Sequence, residues 1–182
     1  MALLIAGLVL WWGAHLFKRL APGPRAAMGD KGKALVALAL LLSVLLMVLG
    51  YRSAEVYDLA APPPFLRHIN NLMVLIAIYM MSPAPKKGAL LNGMRHPMLI
   101  GIKLWAVAHL LVNWDAASFV LFGGLLAWAV TEVIVINRAE PNWSPRPRGS
   151  LAKDGLFLIA SVALYGVIGY IHGLIGPSPF PG

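Results

Sequence analysis

Six apolar stretches, each about the length of a bilayer-crossing helix, are separated by proline-rich or strongly basic breaks. They lie near residues 1–17, 34–51, 66–82, 97–113, 115–137 and 155–176. A hydrocarbon core of ~30 Å takes ~20 helical residues to cross, so each stretch is a candidate span. The breaks carry Ala21-Pro22-Gly23-Pro24, Ala61-Pro62-Pro63-Pro64, Ser82-Pro83-Ala84-Pro85 and the segment from Pro141 to Gly149. This predicts an all-α, polytopic integral membrane protein, a bundle of six transmembrane helices forming a single domain over residues 1–182. Composition agrees. The chain is 59% hydrophobic and 12% charged, against about 25% charged in soluble domains, too few polar groups to wrap a water-soluble core. With no cysteine, disulfides, thiolate metal sites and a thiol nucleophile are excluded.

The net charge of +8 is a topology signal, and nucleic-acid binding is not needed to explain it. Lys18, Arg19, Arg25, Lys31 and Lys33 follow the first stretch. Lys86, Lys87 and Arg95 follow the third, and Arg138, Arg146, Arg148 and Lys153 follow the fifth. On the opposite side stand only Arg52 and Arg67. The positive-inside rule then places both termini on the non-cytoplasmic side of the membrane. The first stretch lacks a basic leader, and Trp11, Trp12 and His15 do not suit a cleavage site, so it is read as a helix.

In such a chain the ionisable residues at membrane depth are informative, because each is costly unless paired or useful. These are His15, His109 and His172 with Lys103 and Glu132, while His68 and His96 lie at the edges. Imidazole is the only strong transition-metal ligand type present. His15 has Trp11 one turn before it and Lys18 and Arg19 one turn after. Trp105, His109 and Asn113 follow one another at helical spacing. An imidazole, a flat aromatic wall and nearby bases suit a haem and its propionates. They equally suit an interfacial helix end, and a membrane histidine serves equally well as an interhelical hydrogen-bonding residue. His96 and His109 are 13 residues apart, about 20 Å of helical rise, so they cannot share one ion from one helix. Lys103 and Glu132 are read as members of structural pairs. Gly166, Gly169, Gly173 and Gly176 fall on one face of the last stretch, where a second helix or a flat ligand can approach closely.

The run Arg95-His96-Pro97-Met98, followed by Gly101, Trp105, Ala108-His109-Leu110 and Asn113, resembles the NnrU family of bacterial membrane proteins. So does the opening helix, which ends in His15 and is followed by Ala21-Pro22. That family is similar in turn to the zeta-carotene cis–trans isomerases of plants and cyanobacteria, whose membrane domain holds haem b. The resemblance implies haem b as cofactor and His15 and His109 as its axial ligands, with Trp11, Trp105 and Asn113 lining the pocket and Lys18 and Arg19 meeting propionates. The isomerases carry a cysteine three residues before the second ligand, where Ala106 stands here, and a further histidine where this chain has Trp128. A ligand swap onto cysteine is therefore impossible in this chain.

The context of bacterial members implies redox or gas sensing in nitric oxide and denitrification metabolism. The alternatives are a haem-dependent isomerase of a polyene, with a cavity against the Gly166–Gly176 face, and a non-haem accessory or transport subunit. Depth keeps other ligand pairs open. Counting along ideal helices puts His15 about 21 Å and His109 about 12 Å below the outer surface. On that count His109 with His172, or His15 with His96, is better matched in depth.

Overall fold

The computed structural model describes residues 1–180; the last two positions of the expected 1–182 domain lie outside the described residues. The described chain is helical: α1 (Ala2–Leu20), α2 (Pro22–Ala27), α3 (Gly29–Arg52), α4 (Leu66–Met81), α5 (Ala84–Lys87), α6 (Pro97–Val112), α7 (Ala116–Ala139) and α8 (Leu151–Ile175). All six apolar stretches are helices. Four of them, α1, α3, α7 and α8, are long and apolar enough to cross a membrane. The other two, α4 and α6, have 16 residues each and rise about 24 Å, short of a ~30 Å core. Six spans were expected; four are of full length.

Two short helices stand where the sequence reads as punctuation. Both begin with proline in the first turn, where the missing N–H is no loss and φ is already helical. Gly29, at φ +51°, makes the turn from α2 into α3 in a region that side chains with a Cβ avoid. Asp115 and Ser150 start α7 and α8 from extended backbone, their side chains accepting from the N–H groups of Ser118 at 2.8 Å and Ala152 at 3.2 Å. Large apolar side chains stay exposed along the spans, among them Leu38, Leu41, Ile159 and Leu174, as a lipid-facing surface requires.

The chain divides into two compact units, residues 1–61 with 113–141 and residues 62–112 with 142–182. In the first, α1 lies tightly on α3. A Cβ at Gly7 would stand 2.8 Å from the Ser43 carbonyl, and one at Gly50 would stand 2.2 Å from the Leu4 nitrogen. Leu8 packs over Gly124 of α7. Below the start of α7, Leu59 N–H donates to Trp114 O at 2.8 Å and Ala116 N–H to Tyr57 O at 3.2 Å. Ser118 Oγ donates to Asp115, so the Tyr51 hydroxyl, 2.8 Å from Ser118 Oγ, is the donor in that contact.

In the second unit α6 lies on α4, with Gly101 against the Ala77 carbonyl. Buried Asn70 of α4, its amide turned so that the nitrogen is the donor, reaches Ala108 O at 2.9 Å. Asp154, in the first turn of α8, accepts from the Tyr79 hydroxyl at 2.7 Å and from the backbone of Ala89 and Leu90 at 2.6 and 3.2 Å. A Cβ at Gly88 would collide with that carboxylate. Among the described residues no other helix meets the glycine stripe of α8. Phe180 folds back over Gly169, its ring 5.5 Å from that of Tyr165, and Asn71 donates to Pro179 O at 2.9 Å.

Candidate functional site

His15 sits near the C-terminal end of α1. Its Nδ1 lies 3.0 Å from Trp11 O, one turn back. A carbonyl only accepts, so Nδ1 carries the proton and the lone pair is on Nε2, the nitrogen that an imidazole so oriented offers to a metal. The ring leans on Trp11, centroids 4.2 Å apart, and on Trp128 of α7, 4.5 Å away. The two indoles meet edge to face at 5.2 Å. Trp128 is 3% exposed.

Three buried polar atoms gather on the helix faces of this cluster. Trp11 Nε1, Trp128 Nε1 and Glu132 Oε2 have no hydrogen-bond partner among the described residues. Trp128 and Glu132 are one turn apart on α7, hence on one face. By contrast Trp12 Nε1 is satisfied by Gly124 O at 3.2 Å. Buried polar groups are nearly always bonded, so these three stand out among the described residues. Glu132 is in no ion pair among the described residues; the charge that acts on it is that of Arg19. Arg19 itself holds Glu140 at 2.8 Å, and Lys18 is exposed.

The second unit repeats the same turn. His109 Nδ1 is 2.8 Å from Trp105 O, and the two rings lie 4.7 Å apart. The lone pair is again on Nε2. Asn70, bonded to Ala108 O, pins this turn of α6 to α4. Asn113 lies beyond the end of α6 at Val112, so the expected stripe of Trp105, His109 and Asn113 is helical only through His109. His172 donates from Nδ1 to Pro177 O at 2.7 Å. His96 stands before Pro97 and supplies the carbonyl that Ile100 N–H meets at 2.9 Å, which opens α6. Lys103 is half-buried on α6.

Among the described residues no group of three or more His, Asp or Glu could hold a metal ion. A haem needs no such group, since the porphyrin supplies four ligands and the protein one or two. Sequence reasoning missed Trp128 as the second wall of His15, and Asn70 as the anchor of the His109 turn. Both tryptophans one turn before their histidines, Trp11–His15 and Trp105–His109, were already legible in the sequence.

These features define an all-helical, membrane-type chain with two tryptophan-backed histidines, in each of which Nδ1 donates to the carbonyl one turn back. The chain belongs to the NnrU family: the family model described as NnrU protein matches residues 3–179. No curated protein and no solved structure matches it.

Proposed function

We propose that this chain is a bacterial inner-membrane haem b protein, with His15 and His109 as axial ligands and a role in redox or gas handling linked to nitric oxide metabolism. The observation that carries the reading is the shared tautomer. In both histidines the preceding-turn carbonyl holds Nδ1, so Nε2 bears the lone pair and a tryptophan backs the ring. The orphaned indole N–H groups of Trp11 and Trp128 fit a group with acceptor atoms, and the ring faces fit a flat macrocycle. Lys18 is the cation available for a propionate, while Arg19 is shared with Glu140. Haem b, when bound, supplies a one-electron iron couple and, where one imidazole lets go, an open coordination position for a small gas. The nitric oxide part rests on the family resemblance.

Within the same proposal, α4 and α6 complete six spans, their shortfall in length met by local thinning of the bilayer and by the turn residues around them. Both termini then face away from the cytoplasm.

A second ligand pair, His109 with His172, is favoured by both residues lying in one compact unit, each with Nδ1 donating to a backbone carbonyl. The visible spectrum of protein purified in detergent after expression with ample haem decides. A Soret band lost in both His15→Ala and His109→Ala supports the leading pair. A band kept in His15→Ala but lost in His109→Ala and His172→Ala assigns the second. A band that survives in all three variants, or clean protein with none, removes the haem reading.

A further inference from the structure

On the face of α1 opposite His15, the first unit carries a groove that the candidate site does not use. Its volume is about 600 Å³, within the ~300–1,000 Å³ of ordinary ligand pockets. Ala6, Val9, Leu10, Gly13, Ala14 and Phe17 form its α1 wall, and Leu35, Val36 and Ala39 form its α3 wall. The helices are pinned together at the other end, where Gly7 meets Ser43 and Met47 and Gly50 meets Leu4. The groove lies toward the α1–α2–α3 corner, and every residue lining it is apolar. Nothing among the described residues fills it; a Cβ at Gly13 would have no neighbour within 4 Å.

The corner at which the groove ends is strongly basic. Residues 18–33 hold Lys18, Arg19, Arg25, Lys31 and Lys33 against the single acid Asp30. Two of these cations are spent, Arg19 on Glu140 and Lys33 on Asp30, each at 2.8 Å. Lys18, Arg25 and Lys31 are in no ion pair among the described residues. Arg25 is the one placed by the fold. Its Nη1 reaches Gly29 O at 3.3 Å and lies over Gly32, 2.8 Å from where a Cβ would stand, beside Met28. Met28 is itself a wall of the groove. A guanidinium thus sits at the end of an apolar slot in a bilayer-length helix pair.

We infer that this slot binds one anionic phospholipid, with an acyl chain along the α1–α3 gap and the phosphate on Arg25. An apolar tail alone fits the walls, but the Arg25 guanidinium beside Met28, in a corner rich in basic residues, selects a negative headgroup. A guanidinium matches phosphate oxygens with a planar fork of donors. The inference is independent of haem and of the ligand pair.

The test uses the full chain in neutral detergent, titrated with phosphatidylglycerol or phosphatidylcholine and read by native mass spectrometry as the fraction carrying one lipid. Preferential retention of phosphatidylglycerol is expected. Arg25→Gln should weaken it about fivefold, the effect of one cation facing an anionic surface, and Arg25→Lys should restore part of it. Gly13→Leu puts bulk into the slot at a position where a Cβ meets nothing within 4 Å, so it should remove retention of the lipid without lowering the thermal melt. It carries the test alone if Arg25→Gln fails to fold. Equal retention of the two lipids, or phosphatidylglycerol retention untouched by Gly13→Leu, overturns the inference. So does a wild-type dimer that Gly13→Leu dissociates, which would assign the groove to a second copy of the chain.

Discussion

Gly50→Ala is a small change with a large expected consequence. The new Cβ would stand 2.2 Å from Leu4 N, 2.7 Å from Leu4 Cα and 2.8 Å from Leu3 C, all backbone atoms of α1. No side-chain rotation relieves such a contact. To reach even the tight end of ordinary contact, 3.4 Å, α1 must retreat from α3 by about 1.2 Å, which breaks the fit around Leu4, itself 0% exposed. Overpacking of a close-packed site costs up to ~3 kcal/mol. Replacing a mid-helix glycine by alanine returns at most ~1 kcal/mol of backbone entropy. The net is a loss of about 2 kcal/mol. Gly123→Ala on α7 is the control, because nothing lies within 4 Å of its Cβ; there the entropic gain should appear unopposed, as a rise of up to ~1 kcal/mol. Unfolding by SDS titration, followed by tryptophan fluorescence, reads both. Opposite signs are the expected outcome. A Gly50→Ala protein as stable as the parent would show that α1 and α3 do not approach as described.

Asp115→Ala removes the N-cap of α7 and should cost about 1 kcal/mol in the same titration, whereas Arg19→Ala, which breaks the Arg19–Glu140 ion pair, should cost less than ~1 kcal/mol. Asp154→Ala strands three donors, Tyr79 Oη and the N–H groups of Ala89 and Leu90; faster tryptic cleavage at Lys86 and Lys87 should follow, and unchanged cleavage would refute the anchoring role. Trp128→Phe removes an orphaned N–H and keeps a ring against His15. It should leave stability near that of the parent, because no internal hydrogen bond is lost, yet lower haem retention; retention equal to the parent's would mean that the indole N–H serves no bound group.

The six helices were legible in the sequence because apolar runs between proline and basic breaks leave a bilayer-immersed backbone only one way to satisfy its own hydrogen bonds. So were the two histidines, and in principle their tautomers. The bond from each Nδ1 to the carbonyl one turn back is local to a helix, and Trp11–His15 and Trp105–His109 spell it out. The short helices at Pro22 and Pro85 were missed because proline breaks a helix interior but suits a first turn. What only tertiary structure decided is which faces meet. Trp128 joins His15 because Leu8 fits over Gly124 and sets the register of α7 on α1. The glycine stripe of α8 is covered by the chain's own tail through Phe180. Asp154 reads as one more surface acid, yet it binds the loop after α5. These contacts join residues 64 to 116 positions apart or hang on a turn, where side-chain volume, not local pattern, selects the partner.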